Sequence, residues 1–299
     1  MALFRFAFRA MACDNEILVH AAARAQVADA AEVAIAEVKR IEAKYSRYRD
    51  DSIVSQINRA AGHYPVAIDA ETQNLLAYAD ACFTQSDGLF DITSGVLRHA
   101  WNFRSGTLPS AAAVATLVAR VGWRRVERHD GAVFLPSTGM ELDFGGFGKE
   151  YAVDRACELL RAHGVDHALV NLGGDMRATG PQSDGSAWRV GIRHPRRDGE
   201  LLARVDLPGG ALATSGDYER FMIVNGVRYA HVLDPRTGWP VTQTFQSVSA
   251  RADVCLLAGS TTTIALLKGE VAGQQWLDEM ACPYLAVTCL GEVKHRVWK

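Results

Sequence analysis

Apolar and polar positions alternate in the first residues of the chain. Phe4, Phe6 and Phe8 recur at every second position, with arginine between or after them. A period of two is typical of a strand with one buried face, so the pattern predicts a strand near Leu3–Phe8. A second strand is predicted around Glu16–Ala21 by the same criterion.

Spacings of three and four residues predict helices further along the chain. Ala34, Val38, Ile41 and Tyr45 fall on one helical face, and the polar stretch YSRYRDDS ends that helix. The other predicted helices are one with Leu75, Ala79, Cys82 and Phe83 on its apolar face that stops at Gly88, a poorly capped one at Ala113–Val121, one that starts at the glycine cluster Gly145–Gly148, and one at Leu256–Leu267.

Strands are predicted between and after these helices. Asn225-Gly226, between FMIV and VRYAHVL, is the strongest hairpin signal in the chain. The remaining predicted strands are Ala132–Leu135, Met140–Phe144, His167–Leu172, Trp188–Ile192, Leu201–Leu207, Ser247–Ala250, and a terminal hairpin of Tyr284–Cys289 and Val293–Trp298.

The order of these elements indicates the fold class. Strands and helices come in pairs, without a regular βαβα alternation, which favours an α+β protein with antiparallel sheets. The sequence contains no repeat, low-complexity segment or flexible linker. We therefore expect residues 1–299 to form a single domain of two intimate α+β halves.

Composition excludes several classes of protein. The chain is 48% hydrophobic and 22% charged, with a net charge of −2 spread over its length, which argues against a surface for nucleic acid or anionic lipid. Arg5 and Arg9 interrupt the opening MALFRFAFRAMAC, whereas a secretory signal needs an apolar core of about 7–15 residues. The cytoplasm is the expected location. The six cysteines form no CxxC pair, so neither a disulfide framework nor a zinc site is expected.

Two stretches carry the best candidate chemistry. In LDFGGFGKEYAVD, glycines between a strand and a helix let backbone N–H groups approach a phosphate, although a tight structural corner explains them equally well. The Rossmann and P-loop patterns are absent. In HVLDPRTGWP, His231 lies beside an aspartate and an arginine. A structural histidine is the commoner case, but a neutral imidazole there can act as a base.

Other polar blocks are ambiguous when each is taken alone. TSGDYERF and NLGGD both place a Gly-Asp step at a corner, and Thr261–Thr263 can simply cap a helix. The sequence offers no Ser-His-Asp order, no HExxH motif and no close carboxylate pair.

Taken in order, the blocks resemble the ApbE family, the FAD:protein FMN transferases. The similarity runs from about Phe8 to Gly269, nearly the whole chain. The matching blocks are RAMAC, YSRYRDDSIVSQIN, GLFDITSGVL, LDFGGFGKEYAVD, VNLGGDMRATG, ATSGDYERF, HVLDPRTGWPV and the helix after SVSARADVCLLA.

The resemblance implies a fold, an activity and a set of site residues. The fold is a T-fold-like arrangement of antiparallel sheets and helix pairs with an added α/β subdomain. The activity is transfer of FMN from FAD to a Thr or Ser hydroxyl of a partner flavoprotein, with release of AMP, and His231 matches the expected base. The positions that match flavin contacts are Met11, Tyr48, Leu89, Phe90, Asp91, Gly145, Tyr151, Leu233 and Thr262.

The resemblance also implies a Mg²⁺ site, and here the chain departs from the family. Gly148 matches a backbone-carbonyl ligand and Thr263 a hydroxyl ligand, but Gly259 stands where the family has an aspartate. Without that carboxylate, Mg²⁺ should bind more weakly, and a Gly259→Asp change should tighten it. Three alternatives follow from the missing aspartate. The FAD pyrophosphate supplies the metal ligands, Glu150 replaces the aspartate as a ligand, or the protein no longer catalyses transfer. The last case leaves an FAD-binding maturation factor or carrier. An FAD pyrophosphatase is a further alternative.

Overall fold

A computed structural model describes residues 1–296. Short 3₁₀ segments occur at Ile92–His99 and Trp123–Arg125. The helices are α1 (Ala25–Tyr45), α2 (Ile53–Ala60), α3 (Ala70–Gln85), α4 (Ala111–Val118), α5 (Gly148–Ala162), α6 (Cys255–Leu267) and α7 (Gly269–Glu279). The strands are β1 (Ala2–Ala10), β2 (Cys13–Ala21), β3 (Val66–Ala67), β4 (Glu127–His129), β5 (Ala132–Phe134), β6 (Ala168–Leu172), β7 (Asp175–Ala178), β8 (Trp188–Arg193), β9 (Leu201–Leu207), β10 (Gly210–Gly216), β11 (Phe221–Val224), β12 (Val227–Ala230), β13 (Ser247–Ala252), β14 (Tyr284–Val287) and β15 (Val293–Arg296).

A large antiparallel sheet organises the molecule. Eight of the described strands pair in the order β1-β2-β6-β7-β10-β13-β14-β15, so the sheet takes strands from both the beginning and the end of the chain. Three smaller sheets, β3-β5-β4, β8-β9 and β11-β12, lie outside it. The predicted α+β class with antiparallel sheets is confirmed.

Helices cover one face of this sheet. α1 packs on α5, and α6 packs on β10, β13 and α5. The apolar face predicted for α1 is buried: Ala34, Val38 and Ile41 have no exposed surface. These side chains join those of the sheet in one large apolar core. The start of α5 and the middle of α6 are thereby held against each other.

A buried carboxylate fixes the position of α6 relative to α5. Asp154 on α5 accepts hydrogen bonds from the backbone N–H groups of Cys255 (2.8 Å) and Leu256 (2.9 Å), at the N-terminus of α6. Negative charge at a helix N-terminus satisfies unpaired N–H groups and complements the helix dipole. Arg177 on β7 donates to the same carboxylate at 2.9 Å. The three elements are therefore tied together at Asp154.

The predicted strand at Met140–Phe144 is wrong. The segment is irregular although Met140, Leu142 and Phe144 are buried. The backbone of Leu142 is satisfied by a side chain instead of a neighbouring strand, because Asn58 binds both its N–H (2.6 Å) and its C=O (3.0 Å). The N–H of Asp143 donates to the carbonyl of Ile92 at 2.9 Å. An apolar run resembles a strand in sequence even when its hydrogen bonds come from elsewhere.

Other differences from the sequence predictions are smaller. The helix expected at Ala113–Val121 is α4, and it is well capped, because Ser110 accepts a hydrogen bond from the N–H of Ala113. The sequence patterns did not predict α2, α7, β7 or β10. The predicted last strand extends to Trp298, and its final two residues lie outside the described part of the chain.

The Asn225-Gly226 hairpin forms as predicted. Both residues have positive φ angles, 52° and 77°, as a two-residue hairpin turn requires. The six cysteines are free thiols. Among residues 1–296, helices long and apolar enough to cross a bilayer are absent.

Candidate functional site

The glycine turn before α5 is exposed and held from below by aromatic rings. Gly145 and Gly146 lie at the surface, whereas the flanking Phe144 and Phe147 are buried. A Cβ on Gly146 would come within 3.1 Å of the ring of Phe90, so a side chain is disfavoured there. The turn presents bare backbone next to the first turn of α5, an arrangement suited to a phosphate.

Asp143 fixes the entry to this turn. Its Oδ1 accepts from the N–H of Gly145 at 2.9 Å, and its other oxygen pairs with Arg47. Arg47 also donates to the hydroxyl of Tyr48 (2.8 Å) and lies 4.9 Å from the centre of its ring. The Tyr48 ring is 74% exposed. A largely exposed ring beside the glycine turn is available to stack on a flat ligand.

Glu150 and Gly259 contact each other where α5 crosses α6. A Cβ placed on Gly259 would stand 2.5 Å from Cγ and 2.8 Å from Oε1 of Glu150. Glu150 is 8% exposed, and its Oε2 has no hydrogen-bond partner among residues 1–296. Burial, together with the nearby Asp175 carboxylate, raises the pKa of Glu150. The Gly259→Asp change expected to tighten metal binding would therefore force a second carboxylate against the first.

A buried ion pair lies beside Glu150. Lys149 Nζ is 2.6 Å from Oδ2 of Asp175, and Asp175 is only 3% exposed. Burial opposes the charge on Lys149, but the carboxylates of Asp175 and Glu150 together outweigh that effect and raise the pKa of Lys149. Asp175 also accepts from the N–H of Thr214 at 3.2 Å. The lysine therefore forms its close ion pair with Asp175, and its charge acts on Glu150 from a longer distance.

Hydroxyl groups line the face of α6 that carries Gly259. Ser215 on β10 is within 2.8 Å of the Thr262 hydroxyl and 3.1 Å of the Thr263 hydroxyl. Thr262 is buried and also donates to the carbonyl of Gly259 at 2.9 Å, whereas Thr263 is partly exposed. Gly259 and Thr263 are four residues apart, so they share one helical face.

Oxygen atoms dominate this region, but carboxylates do not cluster in it. Residues 1–296 contain no group of three or more His, Cys, Asp or Glu side chains arranged to hold a metal ion. A hard cation here would combine a carboxylate with hydroxyl and carbonyl oxygens, a donor set that suits Mg²⁺. The buried, unpartnered Oε2 of Glu150 fits such a cation.

Two predicted flavin contacts are anchored by the helices: Met11 by α1 and Tyr151, near the start of α5, by α3. Met11, in the β1–β2 turn, has φ = 56°, an uncommon value for a non-glycine residue. Its N–H donates to Glu42 on α1 at 2.6 Å. Tyr151 is half-buried and donates to Glu71 at 2.8 Å. Both are held by carboxylates of the helical layer.

Leu89, Phe90 and Asp91 are all buried. The carboxylate of Asp91 accepts from the N–H of Thr93 (2.7 Å) and from that of Trp123 (3.0 Å), so it fixes a corner of the backbone. Burial raises the pKa of Asp91. In residues 1–296 the visible role of Asp91 is structural, and Phe90 supports the glycine turn from beneath.

The β11–β12 hairpin positions His231. Just after β12, its backbone N–H and its ring Nδ1 both lie within hydrogen-bond distance of the Arg220 carbonyl, at 3.0 and 3.2 Å. Nδ1 must carry the hydrogen to donate to a carbonyl, which leaves Nε2 as the proton acceptor. The surrounding protein disfavours the imidazolium and lowers the pKa of His231, although the side chain keeps exposed surface.

The adjacent Asp-Pro turn does not orient His231. Asp234 pairs with Arg236 at 2.7 Å and accepts from the N–H of Gly238 at 2.8 Å through its backbone carbonyl. Leu233 is partly buried and pairs with Pro240 across this turn. Within the described residues, the partner of the histidine ring is therefore the Arg220 carbonyl.

Comparison with known proteins agrees with the sequence pattern. A model of the ApbE family matches residues 11–286. The chain belongs to the ApbE family. An ApbE relative from Treponema pallidum, named FAD:protein FMN transferase, is 33% identical over 272 residues, which cover 82% of this chain and 75% of the relative.

Other relatives extend this result. A protein of the same name from Klebsiella pneumoniae is 34% identical over 217 residues, covering 71% of this chain and 67% of the relative. The crystal structure of the ApbE protein from Thermotoga maritima superimposes with a TM-score of 0.89 at 30% identity, and covers 98% of this chain and 97% of its own. The fold of this ApbE protein is therefore that of its solved relative.

Sequence patterns missed several residues that build the site. Lys149 and Asp175 form its buried ion pair, Ser215 links its hydroxyls, and Asp154 holds α6 in place. Each lies in a block that was singled out, but the sequence did not show which partners these residues have. The Gly-Asp steps in NLGGD and TSGDYERF were the available signal.

Proposed function

We propose that this chain is an FAD:protein FMN transferase. It transfers FMN from FAD to a Thr or Ser hydroxyl of a partner flavoprotein and releases AMP. The observation that carries the proposal is the shared name of relatives that match most of the chain at 33–34% identity. This chemistry would use three parts of the site: the glycine turn, the hydroxyl groups of α6 and the exposed His231. The eight-stranded sheet supports a single domain over residues 1–299.

The reaction assigns a separate task to each part of the site. The acceptor oxygen forms a bond to the FMN phosphorus while the bond from that phosphorus to the bridging oxygen breaks, and AMP leaves with that oxygen. His231 Nε2 takes the proton of the acceptor hydroxyl. Bare backbone at Gly145 and Gly146 receives the pyrophosphate. The flavin end is held by Met11, Tyr48, Leu89, Phe90, Tyr151 and Leu233, with Thr262 and the Asp91 corner supporting the pocket.

Bound Mg²⁺ would neutralise charge on the pyrophosphate and fix its geometry. Glu150, Thr263 and the carbonyl of Gly148 are the residues that would hold it. Glu150 also argues against a carrier without activity, because it offers a carboxylate beside Gly259, where the expected aspartate is missing. The acceptor is a flavoprotein with an accessible Thr or Ser. Location in the cytoplasm stays a prediction from the sequence.

One assay separates transfer from its alternatives. The protein is incubated with FAD, Mg²⁺ and a flavoprotein domain that carries an acceptor threonine, with the same domain carrying valine there as the control. We expect fluorescent flavin to remain on the threonine domain after denaturation and to be absent from the valine domain. Free FMN and AMP without labelling would indicate a pyrophosphatase. Bound FAD that stays intact would indicate a carrier.

The lowered pKa of His231 predicts the acid limb of the reaction. The base form of the imidazole persists to lower pH than in an ordinary histidine, whose pKa is 6.5. The labelling rate should therefore be above half of its plateau at pH 6.5 and reach half only at a lower pH, as the imidazolium forms. Initial labelling rates between pH 5 and 8 check this. A limb centred above pH 6.5 would contradict the assignment.

A further inference from the structure

The carboxylate of Glu150 is buried at the contact between α5 and α6, and no cationic group of residues 1–296 forms a close ion pair with it. It is 8% exposed, and its Oε2 has no hydrogen-bond partner within residues 1–296. The neighbouring ammonium group, on Lys149, is engaged by Asp175 at 2.6 Å. A buried carboxylate oxygen is costly without a donor or a cation. The Oε2 of Glu150 is therefore free to accept a cation.

Gly259 makes room for this carboxylate. A glycine in the interior of a helix destabilises it, so its presence in the middle of α6 needs a reason. A Cβ on Gly259 would stand 2.5 Å from Cγ of Glu150 and 2.8 Å from its Oε1. Any other residue would displace the Glu150 side chain. The Glu150 side chain on α5 therefore occupies the space that a side chain at position 259 of α6 would need.

The Glu150 carboxylate thus lies against the face of α6 that carries the other oxygen donors. Thr263 follows Gly259 by one turn on this face, and its hydroxyl is 3.1 Å from Ser215. Glu150 is the third residue of α5, which begins at Gly148. The side chain of glutamate is one methylene longer than that of aspartate, so it can reach across from the neighbouring helix.

We propose that Glu150 supplies the metal-binding carboxylate of this protein from α5, and that Gly259 is the complementary change on α6. The cation would be Mg²⁺ or a similar hard divalent ion, with oxygens from Thr263 and Gly148 and with the pyrophosphate and water completing the set. This inference rests on the proposed function only for the identity of that pyrophosphate. It predicts metal binding whether or not an acceptor protein is present.

Metal affinity tests this assignment without an activity measurement. Mn²⁺ binding to the full chain is titrated by electron paramagnetic resonance, with and without FAD. Glu150→Gln keeps the shape of the side chain and removes its charge, and we expect it to weaken Mn²⁺ binding by about tenfold or more. Glu158→Gln is the matched control on the same helix, because Glu158 is 47% exposed and pairs with Arg155. It should leave the affinity unchanged.

An exchange variant gives the second arm. Glu150→Ala combined with Gly259→Asp moves the carboxylate from α5 to α6, and we expect it to recover most of the affinity that Glu150→Gln loses. Glu150→Gln with wild-type affinity, or a wild-type protein that binds no Mn²⁺ in either condition, would overturn the inference. If labelling of an acceptor occurs without metal binding, the inference fails and the proposed function stands. If metal binding depends on Glu150 but no acceptor is labelled, the inference stands and the proposed function fails.

Discussion

Replacing His231 with alanine is expected to lower the rate of acceptor labelling by about 10²–10⁴-fold, the range for loss of a general base. The affinity for FAD should change little. The Nδ1 of His231 is hydrogen-bonded to the Arg220 carbonyl, and Nε2 is the atom that would contact the acceptor hydroxyl. Labelling rates and FAD titrations on the same preparation measure both effects.

The control for His231 is another exposed histidine. His129 on β4 has a side chain that is 64% exposed and lies 3.6 Å from Glu127, and His129→Ala should label at the wild-type rate. If His231→Ala loses FAD binding and labelling together, the histidine holds the flavin and is not the base. Unchanged labelling would exclude both roles.

Replacing Asp154 with alanine is expected to destabilise the protein by about 3–5 kcal/mol, the cost of removing one partner of a buried ion pair. The change removes the 2.9 Å partner of the buried Arg177, leaves it only the more distant Glu158 at 3.9 Å, and frees the N–H groups of Cys255 and Leu256 at the start of α6. Equilibrium unfolding in urea measures the loss. Because α6 carries Gly259 and Thr263, metal affinity should fall as well.

Glu158→Ala is the control for this second prediction. Glu158 lies one turn further along α5, but its side chain is 47% exposed, so its loss should cost no more than about 1 kcal/mol. A loss for Asp154→Ala as small as that of the control would mean that α6 is positioned by apolar packing alone.

Local patterns predicted the elements whose own residues determine them. Period-two alternation gave β1, a helical face gave α1, and Asn225-Gly226 gave the hairpin that carries His231. Ser52 accepts from the N–H of Ser55 and caps α2, a helix that the polar stretch before it concealed. Its apolar spacing, at Val54, Ile57 and Ala60, was a usable signal.

Contacts between distant positions could not be predicted in this way. Asp154 and Cys255 are 101 positions apart, and neither stretch indicates the other. For Glu150 and Gly259 the sequence offered Glu150 as one of three alternatives for the missing carboxylate. Only the packing shows that the Glu150 side chain fills the space beside Gly259. The irregular Met140–Phe144 segment is a third case, since Asn58, from elsewhere in the chain, binds both backbone groups of Leu142.

The most direct test of the proposed function is the balance between AMP released and FMN attached. The protein is incubated with FAD, Mg²⁺ and a threonine-bearing flavoprotein domain, the acceptor is weighed intact by mass spectrometry, and AMP is quantified in the same sample. We predict that each acceptor gains the mass of one FMN residue and that one AMP appears for each flavin attached. AMP and free FMN in equal amounts with no gain in acceptor mass, or FAD that remains whole, would contradict the proposal.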